Sequence, residues 1–377
     1  MHDLRALAGF FAPNVDQGIA TLIGRVKNIV TDNETLQLRL IAGLNHECFE
    51  LCHRTLIAHY SLVSKSVAFT DYCRTIADAE GRAHIYTKYP VLRRGLNQLV
   101  EQWIERVEEV ITRFHRDRGE IEHIIFSSFP LSRLSDIQFG LGDRHRGGRA
   151  VALLIFEDGR KLIYKPRSLS VDIHFSSFLE LISSFTHLYF ITPPTVSYAQ
   201  HGWAGFIEYR PCENELHVSD YYERLGALLA ALYVLNAFDF HYENIVAHGS
   251  NPILIDLETF FHPLAPIIGT ETNTGIDDSV LMTGLLPDEI VFRDGRTVDI
   301  SGMTDVAGQD GVVDRLTLSQ DSSGEFIFER VRGKLVGAKN MPMIDGVVAE
   351  PPRCGAGAGG TCTGRCRGFA GDGAGRC

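Results

Sequence analysis

The chain has 377 residues, 45% of them hydrophobic and 22% charged, with a formal net charge of −11. That length and apolar content can bury one large core or two modest ones, and the acidic balance argues against a nucleic-acid partner, whose phosphates call for basic surfaces. Met1-His2-Asp3-Leu4-Arg5 lacks the basic-then-apolar order of a secretory signal, the longest apolar run (Leu225 to Phe238) is too short for a bilayer, and Cys48, Cys52, Cys73 and Cys212 are scattered as in a reducing cytoplasm.

Residues 1–130 are expected to form a helical N-terminal region. Leu36, Leu38, Leu40, Ile41, Leu44, Phe49, Leu51 and Leu56 recur at mixed three- and four-residue spacing, and so do Leu96, Val100, Trp103, Ile104, Val107, Val110, Ile111 and Phe114. His46, Cys48, Cys52 and His53 share this first stretch at helical spacing. A metal site is the sharper reading, and ordinary helix residues are the expectation.

From residue 131 to 348 the pattern becomes mixed. Leu134 to Phe139 leads into a turn with Gly140, Gly142, Gly147 and Gly148, whose bare backbone can approach and cradle an anion. Residues 149–165 read as a hairpin about Asp158-Gly159, ending at Lys165 just before Pro166. A strand-end lysine is commonly a snorkelling surface residue; in kinases the lysine on the third strand holds nucleotide phosphates. Val171 to Ser184 reads as a helix whose Glu180 is more simply a solvated carboxylate than a partner for Lys165. Leu188–Ile191, Thr195–Tyr198 and Gly205–Tyr209 read as strands, with Glu208 to Pro211 placed where a nucleotide hinge would be. A helix from Asp220 to Ala237 follows, its leucine stripe being core.

Asp239-Phe240-His241-Tyr242-Glu243-Asn244 comes next, and after a short hairpin Asp256-Leu257-Glu258. An aspartate five residues before an asparagine is the spacing of a kinase catalytic loop, where the Asp takes the proton of the attacking hydroxyl and the Asn holds Mg²⁺. Carboxylates and amides also cap helices and fill turns, so the loop alone is a weak signal. Its order after a glycine-rich turn and a strand-end lysine is what strengthens it. Residues 259–345 are expected to hold an activation segment and the start of a C-lobe.

Several of these stretches, GDRHRGGR, KLIYKPRSLSVD, YYERLGALLAALYVLNAFDFHYENIVA and PILIDLETFFHP, resemble the dehydratase domain of class II lanthipeptide synthetases, the LanM type, over roughly residues 30–345. The resemblance implies an α+β fold: a helical N-terminal region plus a lipid-kinase-like, two-lobed catalytic core. It implies ATP and Mg²⁺ as cofactors and a ribosomal precursor peptide as partner, and leaves room for peripheral association with export machinery. The implied chemistry is phosphorylation of Ser and Thr followed by phosphate elimination. By motif, Asp239 matches the proton-handling aspartate and His241 its partner; Asn244, Asp256 and Glu258 match the metal-binding set; Lys165 matches the phosphate-binding lysine; Asp143 and His145 match a G-D-x-H motif tied to phosphate handling and elimination. Gly140, Gly142, Gly147 and Glu208 would complete the nucleotide site. An Arg and a Thr that the family uses further downstream find no match here.

Residues 349–377 depart from everything before them, being rich in glycine and cysteine without amphipathic period. They are expected to be an aberrant or disordered tail, leaving the C-lobe incomplete. Three readings compete: a dehydratase or its N-terminal part, a kinase that stops at the phosphoester, and a non-catalytic fragment that binds a precursor peptide.

Overall fold

The computed structural model describes residues 4–30, 33–63, 67–140, 142, 148–261, 279–320, 326–337 and 339–351. The expected tail beyond residue 351 lies outside the described residues. The chain divides into two compact units, one of residues 1–207, 290–298 and 307–336, the other of 208–289, 299–306 and 337–377. The change of pattern near residue 130 marks where helices give way to strands; the units themselves part at 207/208. Mixed helix and sheet accords with the α+β expectation.

The first unit opens with five helices: α1 (Ala8–Val30), α2 (Glu34–Val63), α3 (Phe69–Ala77), α4 (Ala79–Lys88) and α5 (Pro90–Ile124). Helix α5 starts on Pro90, whose missing N–H costs nothing in the first turn. Leu92, Leu96, Trp103, Val107, Val110, Ile111, Phe114 and Ile121 form its buried stripe. In α2 the buried stripe is Leu36, Leu40, Leu44, Cys48, Cys52 and Leu56, a four-residue spacing that winds slowly round the helix. Leu38, expected within it, is 67% exposed, and both cysteines belong to it.

Five antiparallel strands follow in the order β1-β2-β3-β5-β4: β1 (Leu134–Phe139), β2 (Ala152–Phe156), β3 (Lys161–Lys165), β4 (Thr195–Ser197) and β5 (Gly202–Gly205), with α6 (Ser170–Phe185) between β3 and β4. The expected 149–165 hairpin is the β2–β3 pair. Residues 188–191 form no strand, and the strand expected at 205–209 is instead β5, ending at Gly205. The apolar side chains of β5 lie upstream: Trp203 is fully buried, and its N–H needs a buried acceptor that lies on α5.

One core runs through helices and sheet, from Phe10 and Leu22 through Trp103 and Phe114 to Phe156, Tyr164 and Trp203. Polar bridges join the two layers. Asp117 of α5 accepts the Trp203 Nε1–H at 2.9 Å and lies 2.7 Å from His201 Nε2. Burial pushes its carboxyl up, but hydrogen bonds from Arg116, His201 and Trp203 outweigh this and hold it below the usual range. Burial likewise lowers the His201 pKa, so an ionised Asp117 faces a neutral imidazole that donates from Nε2.

The second unit carries α7 (Glu215–Val234), whose Asn214 side chain caps the His217 N–H at 3.0 Å, and the hairpin of β6 (Ile245–His248) and β7 (Asn251–Leu254). Beyond it come β8 (Glu289–Val291) and β9 (Thr297–Asp299), then a long ribbon, β10 (Asp310–Gln320) with β11 (Phe326–Lys334), and last β12 (Met343–Ile344) with β13 (Val347–Val348). The ribbon belongs to the first unit. Its Phe326 ring meets Phe69 at 5.2 Å and Tyr60 at 5.9 Å. Among the described residues no helix is long and apolar enough to cross a membrane.

Candidate functional site

The Asp239–Asn244 loop follows α7 directly. Helix α7 stops because Asn236 takes a left-handed φ of 48°, and Asp239 takes another at 71°. Asp and Asn tolerate that region better than bulkier side chains. The Asp239 backbone carbonyl accepts a hydrogen bond from Asn244 Nδ2 at 2.8 Å, closing the loop on itself. That bond decides which way the Asn244 amide faces: Nδ2 toward the loop, Oδ1 away from it.

His241 sits between them. Its Nδ1 lies 3.2 Å from the Glu243 N–H and its Nε2 3.3 Å from Asn244 Nδ2, so both ring nitrogens face donors of the loop. Nε2 lies 3.8 Å from Asp239 Oδ1, longer than a hydrogen bond. Asp239 is half-exposed, with 54% of its side chain open to solvent, while Phe240 next to it is fully buried. The loop therefore anchors on Phe240 and offers Asp239 outward.

The β6–β7 hairpin brings the acidic motif to the same place. Ile245 pairs with Leu254, and the Ile255 N–H donates to the Asn244 carbonyl at 3.0 Å, so Asp256 stands one residue from the strand position opposite Asn244. Glu258 is exposed, and Leu257 between the two carboxylates is buried. Phe260 stacks on Phe240 at 5.7 Å, and Thr259 Oγ1 donates to the Phe238 carbonyl, tying the D-L-E segment to the Asp239–Asn244 loop. Asp239, His241, Asn244 and Asp256 are thus gathered in one unit. Among the described residues no three His, Cys, Asp or Glu side chains group as a metal cage. The donors here are instead hard oxygens with one amide carbonyl turned outward. That suits a cation that keeps water and phosphate oxygens among its ligands, as Mg²⁺ does.

The remaining expected site residues belong mostly to the first unit. Lys165 ends β3 opposite Gly202 and is buried, not exposed at a strand end. Its neighbour Tyr164 points to the α5 face, where its hydroxyl donates to Glu109 at 2.6 Å, so strand alternation puts Lys165 on the other face. Glu180 is exposed on α6. Gly140 closes β1 with φ 90°, and Gly142 follows in a bend. Asp143, His145 and Gly147 lie outside the described residues. Gly148 beyond them is held by Arg106 of α5, which donates to its carbonyl at 3.0 Å and pairs with Glu47 at 2.6 Å. Nothing local in the sequence marked Arg106, a buried cation whose partners are 42 and 59 residues away.

Glu208, expected in a nucleotide hinge, opens the second unit. Its carbonyl meets His248 Nδ1 at 2.7 Å, and Arg210 spends both backbone groups on the hairpin, donating to Ala247 at 3.0 Å and accepting from Gly249 at 2.9 Å. On α2, burial raises the Cys48 thiol to about 12 and Cys52 higher still, while His53 stacks on Phe49 at 4.9 Å. These are packing residues of the helical core.

The family described as "Domain of unknown function (DUF4135)" matches residues 89–353. The chain belongs to that family. Lacticin 481/lactococcin biosynthesis protein LcnDR2 of Lactococcus lactis subsp. lactis is 29% identical to it over 229 residues, 54% of this chain and 23% of the relative. The DUF4135 chain thus spans under a quarter of that relative's length. It is class II lanthipeptide synthetase-like, as its motifs imply. The DUF4135 match takes in α5, the five-stranded sheet, the Asp239–Asn244 loop and the D-L-E segment, and leaves out α1 to α4.

Proposed function

We propose that this chain serves lanthipeptide biosynthesis by phosphorylating Ser and Thr side chains of a precursor peptide with ATP and then eliminating phosphate to leave dehydrated residues. The observation that carries the reading is the loop closed by the Asn244–Asp239 bond, which presents one outward carboxylate and one outward amide oxygen beside Asp256. A kinase-like, two-lobed core, with Lys165 and the Gly140–Gly148 turn on the nucleotide phosphates, is part of the same proposal.

In that reading Asp239 accepts the hydroxyl proton as the substrate oxygen bonds to the γ-phosphorus and the bond to ADP breaks. His241, 3.8 Å from the Asp239 carboxylate, stands beside it as its partner. Asn244 and Asp256, with Glu258 beside them, would hold Mg²⁺, which when bound neutralises charge on the phosphate oxygens. For elimination, a base removes the Cα proton, the electron pair forms the alkene, and phosphate leaves with the C–O bond; Asp143, His145 and Lys165 are the groups proposed for that half. The similarity to a lacticin 481/lactococcin biosynthesis protein supports the substrate class.

The test is titration with ATP with and without Mg²⁺, followed by incubation with a Ser/Thr-bearing precursor peptide and mass analysis. Mg²⁺-dependent ATP affinity should fall about tenfold, roughly 1.4 kcal/mol, in Asn244→Ala, and the peptide should gain phosphoryl groups or lose water. Equal Mg-ATP affinity in parent and variant, together with an unmodified peptide, would overturn the reading.

A further inference from the structure

The catalytic loop does not stand alone. The Phe240 N–H donates to the Thr283 carbonyl at 2.9 Å, and the Tyr242 N–H donates to the Ile300 carbonyl at 3.1 Å. His241 makes an isolated antiparallel bridge with Ser301. The two supporting segments are also joined to each other: Gly302 N–H donates to Gly284 and Met303 N–H to Leu285, both at 2.9 Å. Two glycines allow this close approach. A Cβ on Gly284, whose φ is 73°, would lie 3.2 Å from the Phe240 nitrogen, and one on Gly302 would lie 2.6 Å from the Phe240 oxygen. The loop that offers Asp239 therefore rests on a backbone cradle made by residues 283–285 and 300–303.

That cradle is a turn, and turns need a lock. Inside it, Asp299 accepts the Ser301 N–H at 2.9 Å and the Thr304 hydroxyl. From outside it, the Asn340 side chain holds it. Its Nδ2 donates both protons, to the Gly302 carbonyl at 2.9 Å and to the Thr304 carbonyl at 3.0 Å. Asn340 is 1% exposed, and its own carbonyl accepts the hydroxyl of the fully buried Tyr221 on α7, at 2.5 Å. The preceding Lys339 carbonyl accepts the Ala247 N–H of β6 at 2.7 Å. The Asn340 amide thus holds the cradle, while the backbone carbonyls of Asn340 and Lys339 tie the same segment to the elements that flank the loop, α7 before it and β6 after it.

We infer that Asn340 is a positioning residue for the Asp239–Asn244 loop, acting through the 302–304 turn rather than on substrate. The inference rests on the phosphoryl-transfer reading of that loop for its effect on rate, and on the hydrogen-bond geometry alone for its effect on the loop. A buried amide with both protons committed leaves two carbonyls unsatisfied when removed. A displacement of the acceptor carboxylate by about 1 Å costs on the order of 10²-fold in rate.

The experiment uses the whole chain carrying Asn340→Ala, with Tyr221→Phe as a milder variant and Leu225→Ala, a buried α7 residue outside this network, as a control for general destabilisation. Amide hydrogen exchange is measured at Phe240 and Tyr242 and along α7, together with kcat and the KM for ATP in peptide phosphorylation. In Asn340→Ala the Phe240 and Tyr242 amides should exchange at least tenfold faster while α7 amides keep their parent rates. The kcat should fall 10- to 100-fold with KM for ATP within threefold, and Tyr221→Phe should move in the same direction by less. Leu225→Ala should instead speed exchange along α7. Parent-like exchange at Phe240 and Tyr242 in both network variants, or the same uniform rise as in Leu225→Ala, would overturn the positioning role. If those two amides do respond but the parent chain phosphorylates no peptide, it is the functional reading that fails. Should Asn340→Ala not fold, Tyr221→Phe alone decides by the same two amides.

Discussion

The five-stranded sheet and the Asp239–Asn244 loop treat their polar groups in opposite ways. Around the sheet, ionisable side chains are buried and matched: Asp117 with His201, Trp203 and Arg116; Glu109 with Arg113 and Tyr164; Arg106 with Glu47. Around the loop, the matching is done by backbone, through Thr283, Ile300 and the Asp239–Asn244 closure, and the Asp239 side chain is left in the open. The first arrangement spends charge on holding layers together. The second holds the chain by its main-chain groups and leaves a carboxylate exposed, as the proposed chemistry needs. A side chain committed to the core has no capacity left for a substrate, and this contrast separates the two kinds of aspartate here, Asp117 and Asp239.

The largest effect should come from breaking the exposed member. Asp239→Asn keeps shape and the left-handed φ, which Asn also tolerates, but cannot take a proton. Peptide phosphorylation should fall by about 10²–10⁴-fold with the melting temperature unchanged, as read by phosphopeptide mass and by calorimetry. A matching loss of melting temperature would mean that Asp239 is a structural residue like Asp117.

The converse substitution is Asp117→Ala. It leaves the Trp203 N–H and the His201 ring without their acceptor in a site whose carboxylate is 2% exposed. Chemical denaturation should show a loss of about 3 kcal/mol. A loss below about 1 kcal/mol would place this network with surface ion pairs and dissolve the contrast.

A smaller effect is expected where the β10–β11 ribbon meets the helices. Phe326→Ala removes the ring between Phe69 and Tyr60, a half-buried contact, and should cost about 1–2 kcal/mol. Limited proteolysis should then cut within 310–334 earlier than in the parent; an unchanged cleavage order would show that the ribbon is held elsewhere.

The smallest effect is one of pH. Tyr72 donates its hydroxyl to the Leu56 carbonyl at 2.8 Å and accepts from His59 Nδ1 at 3.1 Å. Burial first, then Lys88 and His84, lowers the His59 pKa from the ordinary 6.5. The unfolded chain therefore binds the proton more readily than the folded one. The contribution is fully present above pH 6.5 and is lost as pH falls from there through the depressed folded value. His201 acts in the same direction. Thermal melting should drop on acidification across that window, and less steeply in His59→Gln; an identical slope in the variant would exclude His59 as a contributor.

Local sequence determined a good deal of this molecule. The helical repeat of α5, the β2–β3 hairpin about Asp158-Gly159, the α7 stripe and the β6–β7 hairpin were legible because each is set by periodicity or turn chemistry within a few residues. The five-residue interval from Asp239 to Asn244 was legible for the same reason, since one hydrogen bond spans it. Tertiary structure alone decided the rest. Which leucines of α2 are buried depends on what packs against the helix, so Leu38 is exposed while Cys48 and Cys52 are core. Residues 307–336 return to the helical unit because Phe326 finds an aromatic site on α2 and α3, a match no local pattern records. Arg106, Asp117 and Asn340 carry no motif at all. Each makes hydrogen bonds to groups at least 36 residues away, beside the adjacent Arg116 on Asp117, and a lone polar residue acquires its role only when folding brings an acceptor or donor to it and removes the water that would otherwise serve.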